Sequence, residues 1–590
     1  MSRFITSKIT SHFKWIIIGV LFLVFYTYFF AFNKFHLFYL EQTQLFRFSG
    51  DYFRSFLSKP GDFIFYLGEF LSQFFVSPSM GAFIITGLAV LVFFLSWLIF
   101  KRLGISTLIS DFIPVLLIAA LQSNHLYKVG LTIGVILVLS FIYGYVLFKN
   151  NTVRYIAGGI GLIVLYLLSG GFALLAVILM VLIELVYFKS EIKWINISVP
   201  IIVSLGFPFL AWKFLYIETF QEAWFYPFPF WGVLRTPLFG ALLVYFPLII
   251  IALSGYRQIR KKEELVVRWN YMTVIAGTAI IIGGVALIKI KAYDPKIETF
   301  LGMDHYVQTE EWNKVIDQAR KYPGVNQLVV YYTNLALYKT DQMADRMFSF
   351  PQHGAGGLQL EWKRDEVTPF FGGEVFYHLN YINEAYRWAF ESMVAKGMNP
   401  RSLKRLVLTS LINGHYKIAS KYLNILDQTM YYKDWAKEYK AYVSDTSRVN
   451  QNPELAEKRK YLVKQDFISY SLGLNELLRE HPHNRMAFEY QMAAFLLNKD
   501  IKGFADNIYR LKELGYRQIP VNYEEALLFC MTFFKKDLVP EGYSIRPETI
   551  QRKNEYIASI ARCGGNRDLA KRELYKQFGK TCWYYLHFVD

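Results

Sequence analysis

The chain has 590 residues, of which 54% are hydrophobic and 19% charged, with a formal net charge of +17. A soluble chain of this length carries about a quarter charged residues, so a wholly soluble protein is excluded. The positive charge sits in short clusters beside apolar runs, which points to membrane topology rather than to nucleic acid, for which the sequence carries no binding motif.

The first element is a basic start, MSRFITSKITSHFK, followed by the apolar run Trp15–Phe32. A secretory leader has a shorter core and a small-x-small cleavage site. Bulky residues follow here, so the spacing predicts an uncleaved signal anchor. A helix needs about 20 apolar residues to cross the hydrocarbon core. Eight more candidate spans follow: Met80–Phe100, Thr107–Gln122, Val129–Phe148, Tyr155–Ser169, Phe172–Phe188, Ile195–Tyr216, Leu238–Tyr256 and Asn270–Ile290. Those ending at Gln122 and Ser169 are short. Basic residues mark every second connection: Arg3, Lys8 and Lys14; Lys101 and Arg102; Lys149 and Arg154; Lys189 and Lys193; then YRQIRKKEELVVR. The positive-inside rule then puts the N-terminus in the cytoplasm and everything after the ninth span on the far side. The expectation is an inner-membrane protein with a transmembrane domain over 1–291 and a periplasmic domain over 292–590.

Between the first two spans lies a long external segment, 33–79. It is too charged to span a bilayer and too aromatic for a solvated loop. Glu41 and Asp51 are its first acids. Arg47, Arg54 and Lys59 are its cations, followed by Asp62 and Glu69. Ionisable groups at membrane depth are costly and usually mark a polar cavity or a partner. His36 and His125 fall on the same face, as does the ring-rich connection ETFQEAWFYPFPFWGVLRTP with Trp224 and Arg235. An aromatic belt at headgroup depth is the simpler reading of that connection. Glu184 lies inside an apolar run, where helix packing or a buried polar bond is the default.

The half from 292 onward is rich in Lys, Glu, Asn and Tyr. LVLTSLINGHYKIASKYLNIL places Gly414, Tyr416 and Ala419 at a small–aromatic–small spacing, and FLLNKDIKGFADNIYRLKELGY repeats it more loosely. Residues 307–323 and 383–400 read as helices ended by proline. In style these stretches resemble the tetratricopeptide family, so the predicted fold is all-α: a transmembrane bundle of about nine spans followed by a soluble α-solenoid of four or five helix pairs, a kind of array that binds a protein partner or braces a neighbour. The segment 348–374, with His353 and several glycines, departs from that pattern as a loop. Cys530, Cys563 and Cys582 form no CxxC or zinc spacing; one disulfide or three buried thiols both fit.

The order Glu41, then Gly50-Asp51-Tyr52, then Lys59-Pro60-Gly61, then FIFYLGEFLSQFF resembles the first external loop of the C-fold glycosyltransferases, which use polyprenyl-phosphate sugars. It covers about seventy residues. Two departures stand out: Gln42 where paired acids are usual, and Gly61 where a second proline is usual. The resemblance implies Glu41 as general base or as ligand of a divalent cation, with Asp51 assisting. It implies Arg47, Arg54 or Lys59 as holders of a lipid-linked phosphate, with His125, Trp224 and Arg235 as further substrate contacts. The whole chain resembles a Bacteroidota family of multi-pass membrane proteins of this two-part design, which supplies no activity. Two functions follow: a glycosyltransferase on the outer face, or a non-enzymatic scaffold that recruits envelope partners through its helical repeats.

Overall fold

The computed structural model describes residues 2–188, 193–228, 237–261, 264–322, 324–463 and 472–589. Among these the protein is all-helical, with no named strand. The chain forms two compact units, one of Met1–Asp294 with Gln428–Tyr431, the other of Pro295–Asp427 with Tyr432–Asp590.

The first unit contains α1 (Ser2–Phe32), α2 (Lys34–Gln42), α3 (Gly50–Ser55), α4 (Phe63–Ser72), α5 (Pro78–Arg102), α6 (Leu108–Gln122) and α7 (Val129–Leu147). It continues with α8 (Asn151–Ser169), α9 (Phe172–Val186), α10 (Lys193–Phe214), α11 (Phe220–Phe225), α12 (Pro237–Ile259) and α13 (Tyr271–Lys291). Seven of the described helices are long and apolar enough to cross a membrane, those in α1, α5, α7, α8, α10, α12 and α13. The protein is a membrane protein. Helices α6 and α9 are apolar but only 15 residues long, about 22 Å at 1.5 Å per residue and short of the roughly 30 Å core.

The short runs expected from sequence are therefore corrected at one position. The helix ending at Ser169 is full length because it begins at Asn151, and the shorter one is α9. The reason is Arg154. Inside a helix it would normally end the apolar run, but Glu184 of α9 meets it: Nε lies 2.6 Å from Oε1, with both side chains buried. Glu184 also accepts from Tyr145 at 2.8 Å and Asn196 at 3.1 Å, so one carboxylate ties α7, α8, α9 and α10 together. Arg154 donates to Asn151 and to the Phe148 carbonyl, and its guanidinium stacks 3.6 Å from the Phe188 ring centroid.

The segment between α1 and α5 is held down by glycine contacts. A Cβ on Gly68 of α4 would stand 2.7 Å from the Gly130 nitrogen of α7, so only glycine permits that crossing. Helix α4 is 10 residues long, too short to cross the bilayer.

The second unit opens with α14 (Pro295–Gln308), α15 (Trp312–Lys321), α16 (Gln327–Lys339), α17 (Met343–Arg346), α18 (Thr368–Gly372) and α19 (Glu374–His378). Next come α20 (Ile382–Lys396), α21 (Pro400–Ile412), α22 (Tyr416–Leu426), α23 (Lys433–Ser444) and α24 (Pro453–Lys460), and further helices run to Phe588. Consecutive helices pack on one another from α14 to α16 and from α20 to α23. Gly414, at φ +76, makes the turn between α21 and α22, and Ala419 is fully buried behind it. A buried ionic network fixes the centre. Arg401 bonds Asp304 at 2.7 Å, while Arg405 bonds Glu374 at 2.6 Å and lies 3.6 Å from the Tyr377 ring. Burial alone would raise the Glu374 carboxyl, but Arg405 and Arg401 hold it below the usual range. The loop before it is tied to α16: Gln327 donates to the Gly356 carbonyl and Asn334 to that of Gly357. All three cysteines are free and buried.

Candidate functional site

At one end of the membrane unit, three chain segments cross. Gly61 sits at φ +90, a conformation closed to proline, and donates its N–H to the Leu167 carbonyl at 3.2 Å. That geometry explains why glycine stands there. A Cβ on Gly61 would meet the Gly170 nitrogen at 2.9 Å, and one on Gly170 would meet the Tyr226 carbonyl at 2.3 Å. Gly171 N–H donates to that same Tyr226 carbonyl at 2.6 Å. The turn 59–62 is thereby pinned to the ends of α8 and α9 and to the segment following α11.

Charged side chains gather at this crossing. Lys59 Nζ lies 3.1 Å from Glu218, 3.5 Å from Glu222 and 4.2 Å from the Tyr226 ring centroid. The Tyr226 hydroxyl donates to Asp62 Oδ1. Burial is the largest influence on Asp62 and raises its carboxyl above the usual range, against the opposing pull of Tyr226 and Lys59. Beside the crossing is a small apolar pocket, with enclosed room for about one water, lined by Tyr166, Gly170, Ala173, Phe207, Pro208 and Trp224 among others.

Asp62 stands just before the first residue of α4, and Glu69 follows seven residues later, two turns on and on the same face. Glu69 accepts the Tyr52 hydroxyl, and burial raises its carboxyl too. Arg47 lies 4.7 Å from the Tyr52 ring centroid. Lys128, at the start of α7, lies 5.4 Å from the Phe65 ring centroid, and its charge acts on both acids. Rings of Phe46, Phe56, Tyr66 and Phe70 wall this row.

The residues proposed from sequence divide among these groups. Lys59 and Trp224 stand at the crossing and its cavity, and Arg47 stands beside Tyr52. Glu41 is buried on α2 and accepts from Gln42 at 2.6 Å. His125 lies against Tyr39 of α2, with ring centroids 6.0 Å apart. Its charge adds to burial in pushing neighbouring His36 down to about 3. Asp51 and Arg54 pair with each other at 3.4 Å with side chains 96% and 79% exposed, away from the cavity. Arg235 lies outside the described residues. The divalent cation finds no cluster of three His, Cys, Asp or Glu among the described residues.

In the sequence Asp62, Glu69 and Tyr52 are legible only as members of the segment 33–79, without a role, and Tyr226, Glu218 and Lys128 are not marked at all. The legible signal was the seven-residue spacing of Asp62 and Glu69 on one short helix. The partners of Lys59 lie about 160 residues away and carried none. Chemically, the crossing offers a half-buried acid in a tyrosine hydrogen bond next to a small pocket with an apolar lining. Lys59 is already matched by two carboxylates, so it leaves little positive field for a phosphate. No curated protein and no solved structure matches this chain. One family model, described as a family of unknown function (DUF6057), matches residues 8–589, and the chain belongs to that family.

Proposed function

We propose that this protein handles a lipid-linked substrate at the outer face of the inner membrane, in the manner of a glycosyltransferase that takes its sugar from a lipid carrier. The observation that carries the reading is the Asp62–Tyr226 pair beside the Trp224-lined cavity. The apolar lining of the pocket offers a surface for the apolar chain to lie against, and Asp62, with its raised carboxyl, exchanges a proton with the acceptor hydroxyl. Asp62 thus takes the part that the resemblance implied for Glu41 and Asp51. The basic connections support a cytoplasmic N-terminus and a periplasmic second unit. The paired helices around Gly414 support a tetratricopeptide-like array there. The test is a set of single changes in cells, Asp62→Asn, Glu41→Gln and Asp51→Asn, with surface glycans profiled at equal protein abundance. Loss of a glycan in Asp62→Asn alone supports the reading. Unchanged glycans in all three refute it.

The scaffold reading has its own support: Lys59 is neutralised by Glu218 and Glu222, and the pocket's enclosed space, about one water's worth, is far below that of ligand sites. It requires that deleting residues 300–590 abolish function while the three acid variants remain active.

A further inference from the structure

At the basic end of the membrane unit, two lysines from different helices converge on one indole. Lys14 of α1 lies 4.7 Å from the Trp97 ring centroid, and Lys101 of α5 lies 5.1 Å from it. Among the described residues, neither ammonium has a carboxylate within 4.0 Å, whereas Lys59 has two. Arg102 adds a third positive charge on the next position of α5. Like charges of this kind repel unless an anion separates them. The cation–π contacts with Trp97 orient both ammoniums without neutralising either.

The surroundings identify the anion's carrier. Trp15 and Ile16, next to Lys14, are 66% and 49% exposed, and Leu91 and Phe94 on α5 are 40% and 37% exposed. These apolar side chains belong to membrane-spanning helices, so what covers them is hydrocarbon. A ligand that puts a negative group on the lysines and an alkyl chain along Trp15, Leu91 and Phe94 satisfies both halves. We propose that Lys14, Lys101 and Trp97 form a binding site for the phosphate headgroup of an anionic phospholipid. The phosphodiester lies between the two ammoniums, and the acyl chains run along the exposed face of α1 and α5. Such a lipid holds these two helices together at their basic ends, where the two ammoniums would otherwise push them apart.

The test uses the full-length protein in nanodiscs, with binding of a fluorescent phosphatidylglycerol titrated into phosphatidylcholine. The comparison is between wild type, the Lys14→Gln/Lys101→Gln double variant, and Lys149→Gln, an exposed lysine at another basic connection. A cation near an anionic headgroup contributes about fivefold, so the double variant should bind about 30-fold more weakly, with Lys149→Gln unchanged. A second arm titrates inorganic phosphate against the bound lipid. Competition only at molar concentrations supports a lipid site. Displacement at millimolar phosphate identifies a free-phosphate site and overturns the proposal, as does equal lipid binding by the double variant. If the double variant fails to fold, Lys101→Gln alone, expected at about fivefold weaker, carries the same comparison.

Discussion

Truncating Glu184 should be among the most damaging single changes in the membrane unit. Glu184→Ala leaves the Arg154 guanidinium, 1% exposed, without a counter-charge in a dry interior. It also strips an acceptor from Tyr145 and from Asn196. Breaking a buried ion pair from one side costs about 3–5 kcal/mol. A neutral interhelical hydrogen bond in a membrane averages only about 0.6 kcal/mol, so the stranded charge dominates. At about 2–4 °C per kcal/mol for a domain of this size, the thermal midpoint should fall by about 10 °C. The assay is heating of detergent-solubilised protein followed by size-exclusion chromatography. Glu184→Gln keeps an acceptor for Tyr145 but not the charge, and should lose most of the same stability. The double change Arg154→Met/Glu184→Leu removes both charges and should recover more than half of the loss. A Glu184→Ala midpoint within about 2 °C of wild type would show that the Arg154–Glu184 pair does not hold these helices. So would a double variant as unstable as the sum of its parts, since independent sites add.

Three further outcomes follow. Burial, then the charge of Arg405, pushes the Lys458 ammonium down to about 7 from 10.5. Between those values the unfolded chain binds a proton that the folded chain does not. Stability therefore rises with pH through that window, by about 2–3 kcal/mol from pH 7 to 9. Denaturant titrations at both pH values should show Lys458→Met less pH-dependent by that amount, and equal slopes would contradict the placement. Gly170→Ala should collapse the crossing that holds Asp62 and Tyr226, detected as faster proteolysis within 59–62 or 218–228, whereas Gly255→Ala, with open space around it, should change nothing. Reducing agent should leave the thermal midpoint unchanged, and maleimide should label Cys530 and Cys582 only on unfolding, because both are fully buried; burial also pushes the Cys530 thiol up to about 12.

Much of the fold was legible because the hydrophobic effect writes it locally. The apolar runs became helices, and Gly414 turned the chain where its spacing placed it. What stayed hidden was pairwise. Arg154 looked like a topogenic charge at a helix boundary because its partner Glu184 lies thirty residues on. The network of Asp304, Glu374, Arg401 and Arg405 unites groups up to about a hundred residues apart, and nothing in any one segment announces it. The candidate site was half visible for the same reason. The segment 33–79 stood out by composition, but composition could not tell Asp51, which faces solvent, from Asp62, which a remote tyrosine holds at the crossing.

The most direct measurement is photolabelling of the full-length protein in membranes with a diazirine-bearing isoprenoid phosphate, with labelled peptides mapped by mass spectrometry. Label should concentrate on residues 162–174, 203–208 and around Trp224, be competed by unlabelled lipid and be lost in Trp224→Ala. Label spread evenly over the exposed faces of α12 and α13, with no competition, would contradict a lipid-linked substrate at this crossing.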